Sequence, residues 1–204
     1  DGRDRTAVCC LSSLNLEKYD EWKDDENILN DVMRFLDNVL SDFIKKAPEQ
    51  FSDATYAAEK ERSVGLGVMG FHSFLQKNNI PLESVMSKAW NKKIFKKIQE
   101  GVDQASKDLA EERGACPDAA EYGFNERFSN KTAIAPTASI SVICGGASPG
   151  VEPVAANSYT HKTLSGSFNV RNRYLVEVLE GYGKNTDEIW SGITNNQGSV
   201  SHLN

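Results

Sequence analysis

The sequence predicts an α/β protein, and three observations support this fold class. Apolar runs of strand length alternate along the chain with segments of helical periodicity. Two of the helical segments are long enough to cross over between parallel strands. The strand-like runs also lack a clean apolar–polar alternation, as is typical of strands covered on both faces. We therefore expect parallel strands connected by helices.

The first half of the chain predicts two strands, each followed by a helix. Residues 6–16 (TAVCCLSSLNL) predict a buried strand that ends in a polar turn. A helix is expected at residues 26–46, where apolar side chains recur every three or four positions and Pro48 marks the end. Residues 62–70 (RSVGLGVMG) predict a glycine-rich strand that leads into a short helix at 71–76.

The second half begins with the longest predicted helix. It covers residues 84–113, and Gly114 lies where a helix C-cap belongs. Further elements are expected as follows: a strand at 131–135, a helix that begins at 140–144, a loop at 148–153 and a shorter helix at 174–180.

Composition and charge exclude several functional classes. The chain has 204 residues, 39% of them hydrophobic and 25% charged, which suits one globular domain or two small ones. A net charge of −6 and a pI near 5.2 argue against a nucleic-acid partner, but leave room for a phosphorylated small molecule. No apolar run approaches the roughly 20 residues of a membrane span, so no membrane association is expected.

The cysteine pattern indicates neither a disulfide framework nor a metal site. The four cysteines include the adjacent pair Cys9 and Cys10, and none has Cys-x-x-Cys spacing. No metal ligand is predicted, and a reducing compartment, the cytoplasm, is expected. Cys116 and Cys144 have no partner in the sequence and are interpreted as structural. In a pleated strand, Cys9 and Cys10 point to opposite faces, so one can face a site while the other is buried. The alternative is that both are small buried hydrophobes.

Residues 133–145 (AIAPTASISVICG) form the most informative segment. A strand-like run enters a proline, then a turn with small hydroxyl residues, and then an apolar stretch that resembles a helix start. Backbone N–H groups and hydroxyls in such a turn can hold a phosphate. The alternative is an ordinary helix N-cap formed by Ser139 or Thr137.

A second glycine pattern has the spacing of a dinucleotide-binding fingerprint. Gly65, Gly67 and Gly70 match Gly-x-Gly-x-x-Gly, but valine, leucine and methionine alternate with them. The fingerprint requires its glycines in the turn after a strand. Here they are predicted within the strand, so an architectural role is favoured over nucleotide binding.

Four stretches in this order resemble the catalytic large subunit of ribonucleotide reductase. They are residues 7–16 (AVCCLSSLNL), 62–71 (RSVGLGVMGF), 134–141 (IAPTASIS), and 148–153 (SPGVEP) leading to 162–166 (KTLSG). The resemblance implies that residues 1–204 form a single partial domain. This domain would be roughly half of a ten-stranded α/β barrel made of two five-stranded halves.

The resemblance also implies roles for individual residues. The family reduces the 2′-carbon of a ribonucleotide by thiyl-radical chemistry, with a cysteine pair that becomes a disulfide. Cys9 matches one member of this redox-active pair, and Cys10 falls on a variable position and is interpreted as structural. The substrate phosphates would be held by the loop that contains Pro136, Thr137, Ala138, Ser139 and Ile140.

The family's radical loop, Asn-x-Cys-x-Glu, does not occur in this sequence and is expected just upstream of Asp1. We therefore expect a piece of a longer polypeptide that is inactive alone. The implied partners are a ribonucleoside diphosphate, the remaining large-subunit segments, a radical-generating small subunit, and thioredoxin or glutaredoxin. No cofactor is expected to bind this segment. The whole enzyme would need a dithiol reductant and a radical source, either a di-metal small subunit with a tyrosyl radical or adenosylcobalamin.

An alternative function comes from a different class. The chain could be a non-catalytic module that keeps the half-barrel for binding or assembly, because an isolated half-barrel exposes sheet edges. An Asn-x-Cys-x-Glu frame encoded upstream would favour the enzyme, and its absence would favour the module.

Overall fold

The computed structural model describes residues 2–163 and 166–203, and it confirms the α/β class. Two strands, β1 (Leu11–Asn15) and β2 (Gly65–Met69), pair in parallel. Leu11 lies opposite Gly65, and Asn15 lies opposite Met69. All five residues of β2 are buried. The interleaved glycines therefore lie mostly inside a central strand, as the sequence predicts.

The first strand is shorter than predicted. Residues 2–10 have no regular strand pairing, although the Cys10 carbonyl accepts a hydrogen bond from the Gly65 N–H at 2.9 Å. The segment before Cys9 is polar and exposed, and Arg5 anchors it through ion pairs with Glu61 and Asp118. The expectation of a strand covered on both faces holds for β2 and is wrong for β1, where Leu11 is 45% exposed.

The strand predicted at residues 131–135 is reduced to a single bridge. Thr132 pairs in parallel with Leu66, and the Ala133 N–H donates to the Leu66 carbonyl at 3.2 Å. The backbone then passes directly over Gly67, where an added Cβ would lie 2.0 Å from the Ala133 carbonyl oxygen. This close crossing replaces a regular ladder, and Pro136 lacks the N–H that would resume one.

The described part of the chain contains nine α-helices. They are α1 (Tyr19–Trp22), α2 (Ile28–Lys46), α3 (Ser52–Glu61), α4 (Phe71–Lys77), α5 (Val85–Arg113), α6 (Pro117–Glu121), α7 (Ile140–Ile143), α8 (Arg173–Gly181) and α9 (Asp187–Asn195). Two 3-10 turns lie at Leu16–Lys18 and Glu49–Phe51. An antiparallel hairpin joins β3 (Ser158–Thr163) to β4 (Gly166–Arg171).

Most predicted helices are confirmed within one or two residues. The long helix α5 has the Ser84 side chain as its N-cap and Gly114 as its C-cap, the latter with φ of 88°. The predicted helix start at 140–144 is a single turn, α7. The sequence reasoning missed α1, α3, α6, α9 and the hairpin.

The main hydrophobic core lies between the strands, α2 and α5. Met33, Leu36 and Leu40 of α2 face Ile98 and Val102 of α5, and all five are at least 96% buried. A second, smaller cluster joins α8 to α9 through Leu179, Trp190 and Ile193. The hydrophobic periodicity of the sequence therefore locates the main core, because packing of one apolar face supplies most of a helix's stability.

A fully buried carboxylate connects four parts of this core. Asp37 of α2 accepts hydrogen bonds from Arg62, Arg113 and Arg127, at 2.6–3.3 Å. Arg62 also ends α3 in the left-handed conformation, with φ of 42°. Burial alone would raise the pKa of Asp37, but the bonds from Arg127 and Arg113 and the charge of Arg62 outweigh it and hold the pKa below its ordinary value.

Candidate functional site

The predicted phosphate loop lies at the carboxyl end of the parallel strands. It starts at Pro136, three residues after Ala133, whose N–H is bonded to Leu66 of β2, and it runs directly into α7. The chain then returns to the end of β2, where the Gly70 N–H donates to the Ser148 carbonyl at 2.7 Å. Ligands of open α/β folds bind at this edge, outside the carboxyl ends of the strands.

Thr137 determines the shape of this loop. Its φ of 52° is left-handed, its side chain is buried, and its hydroxyl accepts a hydrogen bond from the Gly150 N–H at 2.8 Å. A β-branched residue in this conformation costs on the order of 1–3 kcal/mol, and such strain concentrates at functional sites. The bond to Gly150 ties the loop to the returning segment.

The residues after Thr137 present unused hydrogen-bond donors. The N–H groups of Ala138, Ser139 and Ile140 make no hydrogen bond to any residue within 2–163 or 166–203, and all three residues are exposed. Ser139 occupies the N-cap position of α7, but its side chain makes no capping bond there. The N-cap alternative is therefore correct for the position of Ser139, but neither Ser139 nor Thr137 caps α7 with its side chain in the described structure. The three adjacent donors can instead receive an anionic ligand.

A reciprocal pair of hydrogen bonds fixes the returning segment. The Ser73 N–H donates to the Ser148 Oγ at 3.1 Å, and the Ser148 N–H donates to the Ser73 Oγ at 2.9 Å. Both serines are at least 98% buried. Farther along, the Val154 N–H donates to Nδ1 of His72 at 3.2 Å. Burial lowers the pKa of His72, which keeps this nitrogen available as an acceptor.

The end of β1 contacts the same loop region. Asn15 Nδ2 donates to the Cys144 carbonyl at 3.4 Å, and Arg173 donates to the Gly145 carbonyl at 2.7 Å. Arg173 also pairs with Glu17, which accepts a second bond from the Tyr174 hydroxyl at 2.7 Å. Burial and the bond to Glu17 raise the pKa of Tyr174 to about 12, so this hydroxyl remains a donor.

Cys9 and Cys10 lie at the opposite end of β1 and face different environments. Cys9 is exposed, whereas Cys10 is 8% exposed and its Sγ lies 3.7 Å from the Leu36 carbonyl. Burial raises the pKa of the Cys10 thiol, which disfavours the reactive thiolate. The prediction that the two side chains point in different directions is confirmed, although Cys9 lies before the strand rather than within it.

The structure does not bring Cys9 into contact with the phosphate loop. Cys9 precedes β1, and the loop follows the carboxyl end of the sheet. No hydrogen bond connects Cys9 to the loop in the described residues. Any substrate that used both would have to lie along the strands.

The other predicted features have mixed outcomes. Cys116 is fully buried, as a structural cysteine should be, but Cys144 is exposed at the end of α7 and has no packing role. Residues 164 and 165 of the KTLSG stretch lie outside the described residues.

No group of three or more His, Cys, Asp or Glu side chains placed to hold a metal ion occurs in the described ranges. No described helix has the length and apolarity to cross a membrane.

Sequence reasoning missed several residues at this edge. Ser148 and Asn15 fall inside the stretches that carry the resemblance, so the motif offered a signal for them. Arg173 and Glu17 are 156 residues apart in the sequence and carry no local signal that they meet.

Comparison with known proteins identifies relatives along the whole chain. The family described as ribonucleotide reductase, barrel domain, matches residues 1–126 and 118–204. The ribonucleoside-diphosphate reductase large subunit of Invertebrate iridescent virus 6 is 51% identical over 201 residues, which is 98% of this chain and 21% of that protein. The corresponding subunit of Invertebrate iridescent virus 3 is 44% identical over 98% of this chain and 32% of that protein.

More distant relatives and a solved structure agree with these matches. A vitamin B12-dependent ribonucleoside-diphosphate reductase of Thermoplasma acidophilum is 37% identical over 192 residues. The class Id ribonucleotide reductase alpha subunit of Actinobacillus ureae superposes with a TM-score of 0.87 at 41% identity. That match covers 98% of this chain and 36% of the solved chain. The chain therefore spans about a third or less of the length of these relatives.

Proposed function

Because the chain belongs to the barrel-domain family of ribonucleotide reductase, we propose that it supplies part of the catalytic barrel of a ribonucleoside-diphosphate reductase large subunit. It would form one part of a single domain and act in the cytoplasm. Reduction would replace the substrate 2′-hydroxyl, released as water, by hydrogen. Two thiols would supply the two electrons and two protons and become a disulfide. Cys9 is the proposed partner from this chain.

One observation carries the proposal. The loop of Pro136, Thr137, Ala138, Ser139 and Ile140 presents three adjacent N–H groups without a partner in the described structure, at the edge where α/β folds bind ligands. We assign this loop to the substrate phosphates. Holding the phosphates there would fix the ribose along the strands toward Cys9, which is catalysis by positioning.

Thr137 would have two tasks in this loop. Its hydroxyl oxygen accepts the Gly150 N–H, and its proton remains available for a phosphate oxygen. Valine at position 137 would keep the branched shape of the side chain but remove both the bond from Gly150 and the proposed bond to the phosphate. Serine would keep the hydroxyl that makes both bonds. We expect Thr137→Val to raise the KM for a ribonucleoside diphosphate about tenfold and Thr137→Ser to change it by less than about threefold. Equal KM values for the two variants would contradict the assignment.

The partners follow from the family. The chain would require the remaining segments of the large subunit and thioredoxin or glutaredoxin as the physiological reductant. A separate small subunit is the proposed radical source, because relatives are described as large or alpha subunits. Adenosylcobalamin is the second possibility, because other relatives are described as vitamin B12-dependent.

The central experiment measures deoxyribonucleotide formation from a labelled ribonucleoside diphosphate, with dithiothreitol as reductant. The chain is assayed alone, with the other large-subunit segments and a small subunit, and in the same mixture with adenosylcobalamin instead. Activity only in a mixture supports the proposal, and the active mixture identifies the radical source. Inactivity in every mixture, with each component shown to be folded, would overturn it in favour of a non-catalytic module.

A further inference from the structure

The phosphate loop is followed by a short segment, α7 with Gly145 and Gly146, that depends largely on hydrogen bonds for its position. Helix α7 has four residues, too few for a stable isolated helix. Gly145 and Gly146 come next, with φ values of 90° and 74°, and no atom lies within 4 Å of where a Cβ would be on either. Side-chain packing therefore does not fix these two residues, and their position depends on hydrogen bonds. The Gly146 N–H donates to the Ser141 and Val142 carbonyls, at 3.0 and 3.2 Å.

Two side chains from outside the loop supply bonds to consecutive carbonyls. Asn15 donates to the Cys144 carbonyl, and Arg173 donates to the Gly145 carbonyl at 2.7 Å. The bond from Arg173 is charge-assisted and short, and such bonds are about twice as strong as neutral ones. The bond from Asn15, at 3.4 Å, is long by comparison. Arg173 is thus the stronger of these two anchors.

Glu17 in turn holds Arg173 in place. Its side chain is 12% exposed, and it accepts bonds from both the Arg173 guanidinium and the Tyr174 hydroxyl. Glu17 lies two residues after the end of β1, so the pair connects the strand that follows Cys9 to the segment that follows the phosphate loop. Substrate-positioning residues of this kind matter because small displacements of a bound substrate cost large factors in rate or affinity.

We propose that Arg173, held by Glu17, is a positioning residue that orders the phosphate loop for the substrate diphosphate. This inference rests on the proposed function of the loop. Arg173 itself would not contact the phosphates. Its role would be to keep α7, and with it the N–H groups of Ala138, Ser139 and Ile140, in the binding geometry.

The test uses the assembled enzyme and four variants of this chain. Arg173→Ala removes the anchor, Arg173→Lys keeps a cation that can reach the Gly145 carbonyl, and Glu17→Gln keeps the bond to Tyr174 but removes the charge. Arg171→Ala is the matched control, because Arg171 pairs with the exposed Asp187 and has no bond to the loop. Steady-state kinetics give kcat and the KM for a ribonucleoside diphosphate, and inhibition by inorganic pyrophosphate reports on the loop directly.

For Arg173→Ala we expect KM and the pyrophosphate inhibition constant to rise together about tenfold, equivalent to about 1.4 kcal/mol, with kcat changed less than about twofold. Arg173→Lys should recover at least half of this loss of affinity on a logarithmic scale. Glu17→Gln should raise KM and the inhibition constant less than Arg173→Ala does. Arg171→Ala should have the KM and the inhibition constant of the parent protein. A structural role alone would lower the fraction of active enzyme, and hence kcat, at unchanged KM. That result, or equal KM values for Arg173→Ala and Arg171→Ala, would overturn the inference. An inactive parent enzyme would instead count against the proposed function.

Discussion

Replacing Asp37 with asparagine should destabilise the protein more than any comparable change at its surface. Three guanidinium groups surround this fully buried carboxylate. Asparagine keeps the volume but removes the counter-charge that Asp37 supplies to Arg62 and Arg127, whereas Arg113 keeps its ion pair with Glu112. Breaking a buried ion pair on one side costs about 3–5 kcal/mol. At roughly 2–4 °C per kcal/mol for a chain of this size, the thermal midpoint should fall by about 6–20 °C.

Asp42 offers a matched control on the same helix. It pairs with Lys46 one turn away, and its side chain is 59% exposed, so Asp42→Asn should cost less than about 0.5 kcal/mol. Thermal unfolding followed by circular dichroism at neutral pH compares the two variants. The pKa of Asp37 is lowered in the folded protein, so its contribution is present above the ordinary carboxyl pKa and is lost as the pH falls through the folded value. Equal midpoints for the two variants would refute this reasoning.

Three further predictions concern the strands and the loop. Cys9→Ser should abolish multiple turnover with dithiothreitol in the assembled enzyme, whereas Cys10→Ser should retain turnover and lose about 1 kcal/mol of stability; inactivity of a folded Cys10→Ser would reverse the assignment. Gly67→Ala should destabilise by about 1–3 kcal/mol in denaturant titration, because its Cβ would clash with the Ala133 carbonyl; an unchanged midpoint would show that the crossing is not tight. The lowered pKa of His72 means that its neutral form stabilises the fold and that this stability is lost as the pH falls below the ordinary value of 6.5. His72→Gln should therefore reduce the drop in thermal midpoint between about pH 7.5 and about pH 5.5, and an unchanged drop would contradict this role.

Local sequence signals predicted the parts of the fold that depend on local energetics. The helices α2 and α5 were located by their apolar stripes, and α5 also by Gly114 at its C-cap. The helix α3 was missed because its buried face consists of the alanines Ala54, Ala57 and Ala58, which give a weak hydrophobic periodicity. The hairpin of β3 and β4 was missed because its strands are largely polar, and the described residues of β4 are mostly exposed.

In the candidate site too, the residues in contiguous motifs could be predicted from the sequence, whereas the long-range contacts could not. The phosphate loop and the cysteine pair lie in contiguous motifs, so sequence alone indicated them. The strained backbone of Thr137 was not predictable, because a threonine is seldom left-handed and the cause is a bond to Gly150, thirteen residues later. The meeting of Glu17 with Arg173 depends on the complete fold, and single-sequence patterns do not encode such a long-range contact.

The reciprocal bonds between Ser73 and Ser148 constrain how this protein can diverge. Each hydroxyl accepts the backbone N–H of the other residue, and neither side chain reaches solvent. Loss of one hydroxyl leaves a buried N–H on the opposite segment without an acceptor. A single substitution at either position should therefore destabilise the fold. A second substitution at the partner position then costs less than it would in the parent protein, because the two changes share one environment. Lineages that alter one of these serines should therefore alter the other as well, and the two positions should evolve as a unit.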